Sequence, residues 1–231
     1  MIIDEKSKEI LKEKFEKELK REVEVYFFTN KNKEISYEEL ISEHEHNHSE
    51  ELCHFCDFMR KFLSELVELS SQKIIVREFD INENQDEAKK YGIEKIPTFL
   101  IDPKKGYKIK YIGSPIGEEA WAFIDTIIQV SKDASNLQKK TKDKLKELKK
   151  NVNIKVFVTP PCPYCPYQVF LVNNFAIENK NIEVECIDAI ENQEIAEKYD
   201  VSAVPHTVIN EKEILVGVQT EDKVLEAITR D

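Results

Sequence analysis

The chain has 231 residues, and charged side chains make up 34% of them. A formal net charge of −11 disfavours nucleic acid and anionic membranes as partners, because both repel an acidic surface. No apolar run approaches the length that spans a membrane, and the N-terminal stretch becomes charged at Asp4 instead of continuing as a targeting signal. We therefore expect a cytoplasmic protein.

The predicted elements follow the same order in both halves of the chain. In the first half the patterns predict helices over 4–22, 57–70, 84–91 and 118–131, and strands over 23–29, 73–80, 98–102 and 107–112. In the second half they predict helices over 135–150, 166–178, 192–199 and 221–229, and strands over 153–159, 182–188, 207–210 and 213–218. Strands that alternate with helices indicate an α/β fold with a mixed central sheet flanked by helices.

A loose internal repeat supports the division of the chain into two similar halves. The segment "FDINENQDEAKKYGIEKIPTFLI" matches "IDAIENQEIAEKYDVSAVPHTVI", which aligns Asp80 with Asp188 and Pro97 with Pro205. We predict two tandem α/β domains, 1–132 and 133–231, each opened by an extra N-terminal helix.

Four of the five cysteines form two C-x-x-C pairs, Cys53/Cys56 and Cys162/Cys165, and Cys186 stands alone. Such pairs in a cytosolic protein are typical of metal sites or redox catalysts. Both pairs follow a predicted strand and precede a helix. Unpaired N–H groups at a helix N-terminus favour an anion, so the first thiol loses its proton more easily and the second can resolve a mixed disulfide.

Prolines crowd around the second pair in "TPPCPYCP". We expect Pro163 to occupy the first helical position, where a missing N–H costs nothing, and Pro166 to make the first turn irregular. A further proline, Pro97 or Pro205, lies at nearly the same distance after each pair.

These motifs resemble the thioredoxin superfamily, with C-P-Y-C as a glutaredoxin-type active site. Tandem C-x-x-C halves and the segment "VFVTPPCPYCP" are similar to the protein disulfide oxidoreductases of thermophilic archaea and bacteria. The resemblance implies that Cys162 is the nucleophile, that Cys165 resolves the mixed disulfide, and that Cys53 and Cys56 form a second redox pair. It implies protein substrates, a thioredoxin reductase-like flavoprotein as a partner, and no cofactor beyond the cysteine disulfides.

The resemblance also identifies the two X-Pro steps, Ile96-Pro97 and Val204-Pro205, as cis-proline loops beside the active sites. Their backbone would then pair with an incoming peptide as an added strand.

An insertion, about residues 30–51, separates the first strand from Cys53. On a helix its His44 and His48 would share one face, which makes them candidate metal ligands beside Cys53 and Cys56. This leaves two alternatives to an exchange enzyme. One is an electron shuttle that serves a peroxiredoxin, with a metal-bound first C-x-x-C/His cluster. The other is a non-catalytic zinc module.

Three further residues carry smaller expectations. His206 is either a proton carrier near the second site or a strand residue that fills space, and Cys186 is expected to be buried. Val156 stands where classical thioredoxins place a buried acid. A proton relay must therefore use another group, such as a lysine, a glutamate or water.

Overall fold

The computed structural model describes residues 2–30, 53 and 55–230. The insertion, with His44 and His48, lies outside these residues. The first half contains α1 (Glu5–Glu18), β1 (Val23–Thr29), α2 (Cys56–Leu69), β2 (Ile74–Asp80), α3 (Gln85–Tyr91), β3 (Thr98–Ile101), β4 (Ile109–Ile112) and α4 (Glu119–Ser131). The second half contains α5 (Lys139–Glu147), β5 (Val152–Val158), α6 (Cys165–Glu178), β6 (Ile182–Asp188), α7 (Gln193–Lys198), β7 (His206–Ile209), β8 (Glu213–Val216) and α8 (Glu221–Thr229). A short 3₁₀ turn, Pro103–Lys105, was not predicted, but every predicted helix and strand is present.

Local sequence signals explain where several helices begin and end. Asp4 caps α1, since its carboxylate accepts a hydrogen bond from the Ser7 amide at 3.0 Å. Thr220 caps α8 in the same way. Helix α3 ends at Gly92, whose φ of 61° is the left-handed conformation that favours glycine.

The eight strands form one sheet in the order β2-β1-β3-β4-β6-β5-β7-β8. Each half contributes four neighbouring strands, and the two sets join where β4 pairs with β6 in parallel. The α/β fold class with two tandem repeats is confirmed. What the repeat did not predict is that the two sheets are continuous.

Helices cover the sheet unequally. The larger core lies on one face and contains buried residues of α2, α4 and α6 together with α1, α5 and α8. On the other face α3 and α7 each cover a small cluster, one centred on Phe28 and one on Phe157. Within the described part of the chain, no helix is long and apolar enough to cross a membrane.

The topology brings the two C-x-x-C pairs to one edge of this sheet. β1 and β5 run in the same direction, because β3 is antiparallel to both β1 and β4, and β4, β6 and β5 are mutually parallel. Helices α2 and α6 both begin near the C-terminal ends of these strands, and each starts with the second cysteine of a pair.

Candidate active site

The second pair lies in a tight turn between β5 and α6. The Cys162 amide donates to the Thr159 carbonyl at 3.0 Å, and the helix starts only at Cys165. The prediction that Pro163 occupies the first helical position is therefore wrong, since the closed turn delays the helix. Pro166 lies in the first turn instead, where its missing N–H is equally harmless.

The two sulfurs of this pair have different surroundings. Cys162 and Cys165 form a disulfide with their Cα atoms 5.5 Å apart. Cys162 is half-buried, whereas Cys165 is completely buried. The Cys165 amide nitrogen lies 3.2 Å from the Cys162 sulfur, so the first helical N–H points at that atom. Such a donor stabilises negative charge on sulfur.

The loop that contains Pro205 lies against Cys162. The Val204-Pro205 peptide bond is cis, as the resemblance implied, and the Val204 carbonyl oxygen is 3.9 Å from the Cys162 sulfur. The Gly217 amide donates to the Pro205 carbonyl at 2.8 Å, which anchors the loop to the end of β8.

The first pair repeats most of this arrangement. Cys53 and Cys56 form a disulfide with a Cα–Cα distance of 5.4 Å, and the Ile96-Pro97 bond is also cis. Cys56 is fully buried, as Cys165 is, but Cys53 is only 3% exposed. The first cysteine of this pair is therefore less accessible than Cys162.

A buried glutamate close to the second pair was not identified from the sequence. Glu119, the first residue of α4, is 2% exposed, and its two carboxyl oxygens have no hydrogen-bond partner among the described residues. It lines a small cavity with Val158, Cys186 and Asp188. Burial, together with the nearby Asp188 and Glu118 carboxylates, raises the pKa of Glu119 to about 8.

Glu119 lies beside the segment that leads from β5 into the turn that carries Cys162. Val158 is the last residue of β5 before that turn, and the Glu118 amide donates to the Pro160 carbonyl at 3.0 Å. The sequence did contain a signal, because Glu119 falls on the buried face of α4 with Ala122, Phe123 and Thr126. An acid in an apolar helical stripe indicates a buried carboxyl.

The two other residues singled out from the sequence, His206 and Cys186, are both buried. His206 is 4% exposed, packs against the Phe157 ring, and in the described structure neither ring nitrogen has a partner. Burial lowers the pKa of His206. This environment is that of a packed strand residue. Cys186 is buried and unpaired as expected, and burial raises the pKa of its thiol well above the ordinary value.

Among the described residues, no group of three or more His, Cys, Asp and Glu side chains could hold a metal ion. The candidates His44 and His48 lie outside those residues. In the oxidised state seen here, the Cys53 and Cys56 sulfurs are bonded to each other.

Comparisons with known proteins agree with this architecture. Residues 28–126 match the family described as "Thioredoxin", and residues 152–229 match the "Thioredoxin domain". The thioredoxin of Methanocaldococcus jannaschii is 38% identical over 80 residues, which are 34% of this chain and 94% of that protein. A probable thioredoxin of Methanothermobacter thermautotrophicus is 40% identical over 78 residues, 33% of this chain and 92% of that protein.

Solved structures cover nearly the whole chain. A protein disulfide oxidoreductase from Aeropyrum pernix superposes with a TM-score of 0.82 at 29% identity, over 97% of this chain and 91% of that one. The alkylhydroperoxide reductase protein AhpF from Enterococcus faecalis gives a TM-score of 0.81 at 22% identity, over 99% of this chain and 100% of that one, a likeness of fold alone. The chain therefore belongs to the thioredoxin family, and it carries two thioredoxin domains in tandem, each with a C-x-x-C disulfide.

Proposed function

We propose that this protein exchanges dithiols and disulfides with protein substrates, with its main site at Cys162 and Cys165. The observation that carries the proposal is the contrast between the two sulfurs. Cys162 is accessible and receives the first N–H of α6, whereas Cys165 is buried behind it. The accessible sulfur can meet a substrate, and the buried one can react only after the first has done so.

In the reducing direction, the Cys162 thiolate attacks one sulfur of a substrate disulfide. A mixed disulfide forms, and the second substrate sulfur leaves as a thiolate that takes up a proton. The Cys165 thiol then loses its proton and attacks the Cys162 sulfur. This releases the substrate's first sulfur, which also takes up a proton. The substrate has gained two electrons, and the Cys162–Cys165 disulfide has formed.

Val204 and Pro205 are proposed to hold the substrate during these steps. The Val204 carbonyl lies beside the Cys162 sulfur, and a substrate backbone can pair with this segment as an added strand. Ile96 and Pro97 are proposed to do the same at Cys53 and Cys56, which form the second redox pair.

The second step requires a group that takes the Cys165 proton, and we assign this role to Glu119. Its carboxyl is buried beside the end of β5, and a pKa of about 8 leaves both protonation states populated near neutral pH. Glu119 belongs to the first thioredoxin domain, so the main site would use residues of both domains.

The test is reduction of insulin disulfides by dithiothreitol, followed as precipitation of the free B chain. Wild-type protein should accelerate the reaction, Cys162→Ser should remove most of the activity, and Cys165→Ser should trap a mixed disulfide with insulin. The double variant Cys53→Ser/Cys56→Ser is the matched control and should retain most activity. Full activity in Cys162→Ser would contradict the assignment of the nucleophile.

The proposal includes a cytoplasmic location and a thioredoxin reductase-like flavoprotein as electron donor, which the family resemblance supports. The whole-length fold likeness to AhpF of Enterococcus faecalis favours a second candidate, a shuttle that passes electrons to a peroxiredoxin. Activity with a peroxiredoxin but not with insulin would favour the shuttle.

A further inference from the structure

An apolar groove of about 520 Å³ lies between helices α1, α2 and α4. Helix α1 contributes Ile10 and Leu11, α2 contributes Phe58 and Phe62, and Trp121 of α4 closes the side nearest the second domain. The described side chains that line it are almost all apolar, and Asp4 is the only charged group among them. A groove of this size and composition is typical of a binding site.

Exposed aromatic residues connect the groove to both redox pairs. Phe58 is two residues after Cys56 and is 41% exposed. At the opposite end, the Trp121 ring packs edge-on against Tyr167 with centroids 5.3 Å apart. Tyr167 is two residues after Cys165 and is 59% exposed. The apolar surface therefore runs from the start of α2 to the start of α6.

The separation of the two strands that precede the C-x-x-C pairs matches the length of a short extended peptide. β1 and β5 are four strand positions apart in the sheet, which corresponds to about 19 Å at the usual strand spacing. An extended chain covers this distance with about six residues. One segment of unfolded polypeptide can therefore lie along the groove while it reaches towards both disulfides.

We propose that this groove binds apolar side chains of unfolded protein substrates and holds them between the two C-x-x-C sites. The proposal rests on the proposed exchange function and names its substrate class. An unfolded chain exposes apolar side chains that can fill the groove, and the groove offers almost no charged group for an ionic ligand. A second copy of this protein fits less well, because a two-fold dimer would place two concave surfaces against each other and leave both unfilled.

Trp121 provides a direct test, because it is the only tryptophan in the chain. The probe is S-carboxymethylated insulin B chain, which has no tryptophan and whose blocked cysteines cannot exchange. Titrating it into the full-length protein should change the Trp121 emission saturably. Ile10→Glu, at the exposed rim of the groove, should weaken the apparent Kd at least tenfold.

Ile214→Glu is the matched control, since Ile214 is 56% exposed against 58% for Ile10 but lies on β8, away from the groove. It should bind the peptide as wild type does. An unchanged emission in wild type, or equal affinities for the two variants, would overturn the proposal. So would loss of a dimer in Ile10→Glu, measured by sedimentation, with peptide binding unaltered.

The peptide cannot take part in exchange, so this test is separate from that of the proposed function. Cys162→Ser should lose insulin reduction yet bind the peptide normally. A wild type that binds the peptide but does not reduce insulin would refute the exchange function, while the proposal that the groove binds peptide would remain supported.

Discussion

At the scale of single residues, the second C-x-x-C pair combines a half-buried sulfur with a fully buried one, and a buried acid lies on the neighbouring helix α4. The Cys162 sulfur accepts a hydrogen bond from the Cys165 amide, Cys165 is fully buried, and Glu119 lines a cavity with Val158 at the end of β5. The Glu119 carboxyl has no hydrogen-bond partner among the described residues, so its charged form is costly in this buried site. Its pKa is therefore raised well above the ordinary value for a glutamate. The protonation of this group should therefore affect the stability of the folded protein.

Glu119→Gln should change how stability depends on pH. Because the pKa of Glu119 is raised from 4.5 to about 8 in the folded protein, its contribution to stability is complete below pH 4.5 and is lost as the pH rises to about 8. The neutral glutamine avoids this loss. We expect equal unfolding free energies at pH 4, and at pH 9 a variant that is more stable by on the order of 4 kcal/mol.

Urea unfolding at a series of pH values measures this difference. Glu68→Gln, at an exposed position of α2, is the control and should follow wild type throughout. Insulin reduction by Glu119→Gln should fall roughly tenfold and lose its pH dependence near pH 8. If the unfolding free energies of Glu119→Gln and wild type changed with pH in the same way, the raised pKa of Glu119 would be contradicted.

At the scale of elements, the turn before α6 depends on a close approach by the loop before α4. Gly117 has a φ of 60°, and a Cβ added there would lie 2.6 Å from the Pro160 carbonyl oxygen. The Glu118 amide donates to the same oxygen. A loop of the first domain therefore contacts the turn that carries Cys162 in the second, so the position of Cys162 depends on both domains.

Gly117→Ala should destabilise the protein more than Gly92→Ala does. Gly92 has nearly the same φ, 61°, but nothing lies within 4 Å of its added Cβ. Gly92→Ala should lower the unfolding free energy by about 1–2 kcal/mol, the cost of the left-handed conformation. Gly117→Ala should cost at least about 1 kcal/mol more, because Pro160 must move.

Comparison of Gly117→Ala with Gly92→Ala also distinguishes an effect on stability from an effect on insulin reduction. Displacement of Pro160 should slow insulin reduction several-fold in Gly117→Ala, whereas Gly92→Ala should match wild type. Equal unfolding free energies and equal rates for the two variants would show that the contact with Pro160 is unimportant.

At the scale of the whole molecule, the two thioredoxin domains share their interior. β4 pairs with β6, and a charge ladder crosses the junction where Glu185 meets Lys110 and Lys155, each at 3.3 Å. On the other side of the sheet, Asn173 of α6 donates to the Tyr111 hydroxyl at 2.9 Å and the Thr126 hydroxyl at 3.0 Å, both in the first domain. One core cluster includes residues of both halves.

Because of this shared interior, the chain should unfold in a single calorimetric transition, and Asn173→Ala should move that whole transition. Asn173 is fully buried, so its loss removes the two hydrogen bonds that it donates and the one that it accepts from Cys186, and leaves a small cavity, which costs about 2–4 kcal/mol. Scanning calorimetry of wild type and variant measures both expectations. Two resolved transitions, with only one shifted in the variant, would show that the domains are energetically independent.

Local patterns in the sequence were enough to locate the helices, the strands and the two C-x-x-C pairs. Alternating apolar residues, helix caps and the repeated X-Pro steps depend on neighbours in the chain, so the helices, the strands and the cysteine motifs could be located from them. Pro163 is not the first helical residue, because a hydrogen bond from the Cys162 amide to the Thr159 carbonyl closes a turn before α6 begins. No pattern of residue types encodes that bond.

The sequence alone therefore determined a tandem α/β protein with a C-x-x-C dithiol in each repeat, because those signals are local and occur twice. Only the tertiary structure decided that the two sheets are continuous, that Glu119 is buried beside the end of β5, and that an apolar groove lies between α1, α2 and α4. These features depend on contacts between residues far apart in the chain, where packing of complementary surfaces, and not local preference, sets the position of each group.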